Sequence, residues 1–314
     1  MQFLIKGIDL ENNNLNEVWQ TLPIPEYPEP HPARQADLSA NDRFKLTAAS
    51  VRGRSHKHDG TNRDDYYSYR VHNRFTAVAV CDGAGSKPLS RIGAKIAAKA
   101  AIRESDAFSE LLTEELLTAL ACEVDSDEFK TAISAVAAKV RDIFAVSYDA
   151  VCRGVKKRYE KDPESFSENI DDYSSTLLYA IIIPLFSDTL VISLTVGDGN
   201  IGALTDGGIR ILGATRQGEY SGETDFLESE NVLSEESLKS RTRIIRENVK
   251  AVVLLTDGVA DDYFPFETGF ARLWEDISPI LSGNGSDRLA DFLDTYFVRG
   301  SFDDRTLIAV EIIR

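Results

Sequence analysis

The sequence predicts an α+β fold in which mostly antiparallel β-sheets are covered by helices. Short β-type segments, rich in β-branched and apolar residues, occur in groups rather than singly. These segments lie at 44–53, 66–71, 75–83, 175–186, 188–199, 200–212, 248–258 and 305–313. Long segments with helical periodicity separate the groups. Because strands and helices do not alternate strictly, a parallel βαβ sheet is disfavoured and helix-covered antiparallel sheets are favoured.

The helical segments have apolar residues at intervals of three and four. The first two cover residues 90–122 and 127–160, with Ser90 and Asp127 as predicted N-caps. A break is expected near Asp106 in the first of them. Their apolar faces need a surface to cover, and the neighbouring strands provide it.

The last third of the chain contains a polar segment and a second helical pair. Residues 266–299 are expected to form two helices interrupted at Gly283–Gly285. Residues 214–249 show little periodicity, which predicts a mobile loop lying over a site. Its arginines would bring positive charge to a phosphorylated ligand, or the loop is simply solvated. They are Arg216, Arg241, Arg243 and Arg246.

The first 44 residues are predicted to form an N-terminal arm. Five prolines lie between Pro23 and Pro32, and this density favours an extended backbone over helix or sheet. The arm either packs along the domain as a docking segment or is a partly ordered leader. Residues 45–314 then form the folded domain.

Composition excludes several classes of function. The formal charge of −16, from 35 basic and 51 acidic side chains, disfavours binding to nucleic acid, which requires basic residues. Three cysteines without close spacing argue against disulfides or a zinc cage. There is no signal peptide and no apolar run long enough to span a membrane. We therefore expect a cytoplasmic protein that binds neither nucleic acid nor membrane.

Acidic motifs follow the predicted strands and are the main functional signal. They are Asp64-Asp65, Asp82-Gly83, Gly197-Asp198-Gly199, Asp257-Gly258 and Asp303-Asp304. Carboxylates at strand ends can converge on one point, and oxygen ligands without His or Cys suit Mg²⁺ or Mn²⁺. Two such ions sharing Asp82 would activate a water for the hydrolysis of a phosphate ester. Each motif taken singly is also typical of an ordinary turn.

Six segments in this order resemble the metal-dependent protein phosphatases, the protein phosphatase 2C-like Ser/Thr phosphatases. The segments are TNRDDYY (61–67), AVCDGAGS (79–86), SSTLL (174–178), TVGDGNIGAL (195–204), LLTDGV (254–259) and FDDRTLIAV (302–310). The resemblance covers residues 45–314, and the short DGAGS form is similar to a bacterial subgroup of the family. It implies a four-layer α/β/β/α sandwich of two antiparallel sheets flanked by helices, with the metal ions at one end. Packing is the expected role of SSTLL.

The resemblance also implies metal ligands. Asp82 matches the carboxylate that bridges two ions, and the main-chain carbonyl of Gly83 matches a ligand of one of them. Asp257 and Asp303 match ligands of the second ion. Asp198 matches the acid that forms a weaker third site together with Asp257 in many members of the family. The resemblance therefore implies two ions of Mn²⁺ or Mg²⁺, with a weaker site for a third.

Three further acids have implied roles. Asp65 matches the acid that holds or orients a metal-bound water, so it is predicted both as a metal-site residue and, with Asp82 and Asp257, as a catalytic residue. Asp64 stands where the family often has Glu, in an outer position. Asp304 stands where the family commonly has Asn. An ionised Asp keeps the hydrogen-bond acceptor of Asn but lacks its N–H donor.

Two positions depart from the family pattern. The Arg that binds substrate phosphate should lie five residues before Asp65, where this chain has Gly60, and the His that often follows the Asp-Gly pair is Ala84. Arg63, His56 and Lys57 are the predicted substitutes for binding the substrate. The alternative is that they form only a polar face.

The resulting hypothesis is a metal-dependent phosphatase that hydrolyses phosphoserine or phosphothreonine by attack of a metal-bridging hydroxide. Its expected partner is a phosphorylated protein, with a cognate Ser/Thr kinase or the targets of that kinase as the family-level expectation. The departures at Gly60 and Ala84 motivate an alternative, a pseudophosphatase that binds phosphoproteins without turnover. A metal-stabilised structural protein is the third hypothesis.

Overall fold

Two antiparallel β-sheets form the centre of the protein. The structure is a computed structural model that describes residues 19–213, 224–283, 285–296 and 300–313. Within these residues the strands are β1 (Arg34–Ala40), β2 (Phe44–Val51), β3 (Tyr66–Val71), β4 (Thr76–Cys81), β5 (Leu177–Pro184), β6 (Thr189–Val196), β7 (Asn200–Thr205), β8 (Gly208–Ile211), β9 (Thr242–Glu247), β10 (Val249–Leu255) and β11 (Arg305–Ile312).

The strand order shows how distant parts of the chain meet. One sheet has six strands in the order β1-β2-β11-β10-β7-β8, and the other has five in the order β3-β4-β5-β6-β9. Neighbouring strands pair antiparallel in both sheets. Strand β11 lies between β2 and β10, so residues 305–312 join the first hairpin to the later strands.

Helices cover the outer face of each sheet. Their bounds are α1 (Arg54–Asp59), α2 (Ser90–Glu104), α3 (Phe108–Leu111), α4 (Glu114–Ala121), α5 (Asp127–Lys161), α6 (Glu235–Arg241), α7 (Asp257–Ala260), α8 (Phe266–Ile277) and α9 (Gly285–Thr295). Helices α2 and α5 pack together and cover the five-stranded sheet, whereas α8 and α9 cover the six-stranded one.

Alternating side chains divide the core into three layers. Leu178 lies in the layer between the sheets, whereas its neighbour Tyr179 faces α2 and α5. In the other sheet Val252 faces inward and Val253 packs against α8 and α9. Because side chains alternate along a strand, strands that are apolar at every position have both faces buried. The four-layer α/β/β/α sandwich predicted from the resemblance is confirmed.

The predicted helices are confirmed, although their caps differ by one residue. Helix α5 is capped by Ser126, whose hydroxyl accepts a hydrogen bond from the backbone N–H of Phe129 at 3.1 Å. Helix α2 begins after Leu89 rather than with Ser90 as its cap. The break expected near Asp106 is present as a 3₁₀ turn, Ser105–Ala107.

The prediction of an unstructured loop over residues 214–249 is wrong for its second half. Helix α6 and strand β9 occupy residues 235–247, and β9 pairs with β6 at the sheet edge. Arg246 forms an ion pair with Asp188 at 2.9 Å, and Arg241 forms one with Asp225. These side chains therefore hold the edge of the sheet together. Residues 214–223, with Arg216, lie outside the described residues.

The predicted boundary between residues 44 and 45 falls inside a hairpin. Strand β1 pairs along its whole length with β2, so residues 34–44 are part of the six-stranded sheet. Residues 19–33 have no regular secondary structure, and the N–H of Leu22 donates to the carbonyl of Lys57 at 2.8 Å. Residues 1–18 of the predicted arm lie outside the described residues, and the choice between a docking segment and a leader stays a prediction.

In the part of the chain that the structure describes, none of the helices combines the length and apolar character needed to cross a membrane.

Two helical glycines provide a test of the packing around α2. A Cβ at Gly93 in α2 would lie 1.9 Å from the carbonyl oxygen of Tyr173, whereas one at Gly154 in α5 would meet only flexible side-chain ends, those of Ile96 at 2.6 Å and Arg158 at 3.3 Å. We expect Gly93→Ala to lower the free energy of unfolding by about 1–3 kcal/mol, because backbone has to move. Gly154→Ala should change it by less than about 1 kcal/mol, since Ala favours helix. Urea unfolding of both variants measures the difference, and equal effects would contradict it.

Candidate metal centre

The acidic motifs converge at one end of the two sheets. Asp82 directly follows β4, Asp198 lies in the turn between β6 and β7, and Asp257 begins α7 just after β10. One carboxylate oxygen from each of these three residues lies within 4.8 Å of the other two. Strands β4 and β6 of one sheet and β7 and β10 of the other therefore place their terminal acids close together.

Asp303 and Asp304 form an adjoining acidic group with His56. One ligand atom from each of these three residues also lies within 4.8 Å of the others. The charges of Asp198 and Asp304 help to raise the pKa of Asp303, after the larger effect of its burial. Asp82, Asp198 and Asp257 thus form one close group, and Asp303 of the adjoining group lies near enough for its charge to raise the pKa of Asp82 and Asp257; their role as metal ligands stays a prediction.

Asp65 lies behind this group and is completely buried. Its Oδ2 accepts hydrogen bonds from the hydroxyls of Thr256 at 2.9 Å and Thr306 at 2.6 Å. Ser50 in turn contacts the Thr306 hydroxyl at 2.6 Å. Oδ1 is buried and has no hydrogen-bond partner among the described residues. Oδ2 of Asp65 is therefore fixed by two threonine hydroxyls, whereas Oδ1 can accept a hydrogen bond from a bound ligand.

The main chain at Asp82 is held between two hydrogen bonds. Its N–H donates to the hydroxyl of Thr176 at 2.8 Å, and the N–H of Thr176 donates back to its carbonyl at 2.8 Å. The next residue must be glycine, since a Cβ at Gly83 would lie 2.9 Å from the carbonyl oxygen of Asp64. Gly258, beside Asp257, is similarly constrained. These contacts fix where the Asp82 side chain begins.

The electrostatics of the centre call for added positive charge. Burial raises the pKa of both Asp82 and Asp65, and the charges of neighbouring carboxylates raise them further. Burial, together with the charge of Asp198, raises the pKa of Asp257 to about 7, and its buried Oδ1 has no hydrogen-bond partner among the described residues. A divalent cation would supply both the charge and the missing partner, and an all-oxygen donor set suits Mg²⁺ or Mn²⁺.

Asp304 is anchored by the main chain of the first acidic motif. One carboxylate oxygen accepts from the N–H of Gly53 at 2.6 Å, and the other accepts from the N–H of Asp64 at 2.5 Å. Nδ1 of His56 lies 3.0 Å from the first oxygen. Although burial opposes charge on both groups, their contact raises the pKa of His56 to about 10 and lowers that of Asp304. Both oxygens of Asp304 therefore act as hydrogen-bond acceptors, which a carboxylate can provide and the single oxygen of an Asn cannot.

The residues predicted to bind substrate phosphate are engaged elsewhere. Arg63 has no exposed surface, and its guanidinium donates to the carbonyl of Ser50 at 2.9 Å and to Oε1 of Gln35 at 3.3 Å. His56 faces Asp303 and Asp304, and Lys57 forms an ion pair with Asp294. Phosphate binding by Arg63 does not fit this burial, and the other two side chains are already paired with acids.

The arm occupies the surroundings of Gly60. This residue ends α1 with φ of +71°, a left-handed conformation that favours glycine. A Cβ there would lie 3.3 Å from the Cβ of Leu22. Trp19 stacks on Phe302 beside the acidic group, with ring centroids 4.9 Å apart. A longer side chain at position 60 would require the arm to shift.

Hydroxyl residues around the acids were missed by sequence reasoning. Thr256 and Thr306 orient Asp65, and Thr176 holds the main chain of Asp82 rather than only packing. A weak signal for two of them existed, because Thr256 and Thr306 lie beside acids in LLTDGV and FDDRTLIAV, whereas Thr176 lies in SSTLL, which contains no acid. Nothing in the local sequence indicated which acid each Thr would contact.

Comparisons with known proteins place this geometry in a family. The family model described as protein phosphatase 2C matches residues 52–294. The serine-threonine phosphatase 2C from Toxoplasma gondii is similar in fold, with a TM-score of 0.52, 12% identity, and coverage of 90% of this chain and 100% of that one. A search of the curated proteins finds no match.

Two further solved structures match with lower TM-scores. The catalytic domain of the phosphatase PstP, in complex with two manganese ions, has a TM-score of 0.47 and 15% identity, covering 87% of this chain and 99% of that one. RsbX in complex with magnesium has a TM-score of 0.43 and 12% identity, covering 88% of this chain and 100% of that one.

The match to the family model covers well over half of the 314 residues, and the antiparallel sandwich agrees with the fold of the Toxoplasma phosphatase. The chain belongs to the protein phosphatase 2C family.

Proposed function

We propose that this protein is a Mn²⁺- or Mg²⁺-dependent phosphatase that removes phosphate from serine or threonine of a partner protein. The observation that carries the proposal is the convergence of Asp82, Asp198, Asp257 and Asp303. Such a concentration of buried acids costs free energy unless a cation compensates it. Family membership and the metal ions named for PstP and RsbX support the same interpretation.

Different residues of this chain would serve as ligands of the different metal ions. Asp82 would be the shared ligand, the carbonyl of Gly83 would complete one ion, and Asp257 with Asp303 would hold the second. Asp198 and Asp257 would form the weaker third site. When bound, the ions would polarise the phosphoryl group and lower the pKa of a water molecule so that it attacks near neutral pH.

Asp65 would orient the attacking water. Thr256 and Thr306 fix its Oδ2, which leaves the buried Oδ1 to accept a hydrogen bond from a ligand in the centre. Thr176 holds Asp82 through the main chain, so the shared carboxylate would not shift as the substrate enters. Pre-arranged groups of this kind lower the barrier because they need not reorganise during the reaction.

The substrate phosphate would be attracted mainly by the metal ions. Gly60 brings no cation, and Arg63 is buried and bonded to other groups. Lys87 lies five residues after Asp82 on a partly exposed loop, and it is the basic residue of that loop. Without an Arg at position 60, this chain would depend more strongly on the metal ions for binding substrate.

Three finer assignments remain predictions. They are membership of the bacterial DGAGS subgroup, a cytoplasmic location, and a Ser/Thr kinase or its targets as the source of the phosphorylated partner. Each is consistent with family membership.

A second candidate function is a phosphoprotein-binding module without turnover. Gly60 and Ala84 stand where the resemblance implies groups that bind phosphate or protonate the leaving oxygen, and the burial of Arg63 disfavours one of the predicted substitutes. Calorimetry with a phosphothreonine peptide separates the two functions. Peptide binding without phosphate release in Mn²⁺ or Mg²⁺ would favour the module.

We expect Asp82→Asn and Asp257→Asn to reduce phosphatase activity by about 100-fold or more, because each removes a charged ligand of the proposed ions. Hydrolysis of p-nitrophenyl phosphate and of a phosphothreonine peptide with Mn²⁺ measures the loss. Asp106→Asn is the matched control, since Asp106 pairs with Arg70 on the exposed surface. Equal wild-type rates with and without EDTA would contradict the proposal.

We also expect the pH dependence of stability to reveal the crowded acids. The pKa of Asp257 is about 7 in the folded, metal-free protein and near its ordinary value when unfolded, so ionisation opposes folding as pH rises. Metal-free Asp257→Asn should therefore gain stability relative to wild type, by up to about 1.4 kcal/mol per pH unit between about pH 5 and about pH 7. Above that range the difference should level off.

Thermal unfolding over this pH range, with and without Mn²⁺, measures the effect. Saturating Mn²⁺ should stabilise the wild type more at about pH 8 than at about pH 6, because the ion competes with protons for the carboxylates. A pH-independent difference between the two metal-free proteins would show that Asp257 is not perturbed.

A further inference from the structure

We propose that Asp262, together with Arg305, is a positioning residue that holds the loop at residues 300–304 and thereby places Asp303 for metal binding. The inference deepens the proposed function and rests on it, since it concerns the same metal ions. Asp262 belongs to none of the acidic motifs singled out in the sequence.

A single buried carboxylate accepts hydrogen bonds from four described residues. Asp262 is 3% exposed, and its Oδ1 accepts from the N–H of Gly300 at 2.6 Å and of Ser301 at 3.3 Å. Its Oδ2 accepts from the hydroxyl of Tyr296 at 2.7 Å and from Nη2 of Arg305 at 3.2 Å. Two of these donors are the main chain of the loop, so the carboxylate fixes the course of the backbone itself.

Further hydrogen bonds continue from this anchor to Asp303. The hydroxyl of Ser301 accepts from the N–H of Asp303 at 3.1 Å, and Oδ1 of Asp303 accepts from the N–H of Asp304 at 2.7 Å. The loop also lies close against the turn that carries Asp262, since a Cβ at Gly300 would be 2.8 Å from the carbonyl oxygen of Asp261. The position of Asp303 is therefore linked to Asp262 through Ser301.

Asp262 connects two segments that carry proposed ligands. It lies in the 3₁₀ turn Asp261–Tyr263, directly after α7, the helix that begins with Asp257. The same side chain thus joins the segment of Asp257 to the loop of Asp303. The spacing between these two carboxylates depends on that connection.

Arg305 holds the Asp262 carboxylate in place. Its Nη1 donates to the carbonyl of Leu293 at 2.7 Å, and its guanidinium lies 4.0 Å from the ring centroid of Tyr296. Arg305 is 4% exposed, and it is the first residue of β11. Arg305 is therefore anchored by strand β11 and by its hydrogen bond to α9. These anchors lie outside the loop at residues 300–304.

The cost of burying this ion pair indicates a role beyond packing. A buried pair is often no more stable than apolar residues of the same volume. Here the carboxylate satisfies the backbone N–H groups of Gly300 and Ser301, whereas α1 reaches the loop farther along, where the N–H of Ser55 donates to the carbonyl of Phe302 at 3.1 Å. Functional ligands need to be held within about 0.5 Å of their working position, and such outer hydrogen bonds provide that precision.

The test compares Asp262→Asn with a matched ion pair far from the metal centre. Asp188→Asn breaks the Asp188–Arg246 pair, which lies at 2.9 Å on the hairpin between β5 and β6. Calorimetric titration of the full-length chain with Mn²⁺ should show affinity about 10- to 100-fold weaker for Asp262→Asn. Asp188→Asn should bind Mn²⁺ within about twofold of wild type, even though it also lowers the unfolding temperature.

Tyr296→Phe provides a second variant at the same carboxylate. It removes one donor but leaves the two bonds from Asp262 to the loop backbone, so Mn²⁺ affinity should change less than about threefold. Wild-type affinity in a folded Asp262→Asn protein, or equal weakening in Asp188→Asn, overturns the positioning role.

The outcomes for the two proposals differ. Mn²⁺ binding that depends on Asp262, without phosphate release by the wild type, would overturn the phosphatase and keep the positioning role. An active wild type with an Asp262→Asn variant of unchanged affinity would overturn only the positioning role. Failure of the wild type to bind Mn²⁺ would overturn both.

Discussion

Mutual repulsion among crowded carboxylates is the constraint around which one end of this protein is built. Asp65 is fully buried, whereas Asp82, Asp257 and Asp303 are partly exposed, and lost solvation together with neighbouring carboxylates raises the pKa of each. Groups that would relieve the repulsion by moving apart are held in place by threonine hydroxyls and backbone amides. The protein therefore maintains an electrostatic arrangement that is unfavourable alone and favourable with cations. Stability and metal binding are linked through this arrangement.

The acids could be found from the sequence because their signals are local, whereas their supports could not. Asp82 and Asp257 each follow an apolar strand and precede glycine, so a short window reveals them. Thr306 contacts Asp65 across 241 positions, and Asp262 contacts Gly300 across 38. Arg63 shows the opposite error, since a polar stretch suggested exposure, yet its guanidinium is enclosed by Ser50 and Gln35 from other strands. Pairings set by tertiary packing have no local pattern.

The missing arginine at position 60 and the N-terminal arm are related features. Arg52 donates to the carbonyl of Leu22 at 2.9 Å, and Leu22 lies against Gly60. Farther along, Arg91 donates to the carbonyl of Glu29 at 3.2 Å, and the Glu29 side chain pairs with Arg158 of α5 at 2.7 Å. The arm thus passes over the first acidic motif and reaches the opposite helical layer. An extended side chain at position 60 and a docked arm would compete for the same space.

The central place of β11 has a consequence for the order in which the protein can fold. Residues 305–312 lie between β2 and β10, and the loop before them supplies Asp303. During synthesis, β2 leaves the ribosome long before its main partner exists and has only β1 to pair with. The acidic centre cannot assemble until residues 303–312 have emerged, and such long-range pairing is slow. A chain whose synthesis has not reached these residues would therefore carry most of the acids but no organised acidic centre.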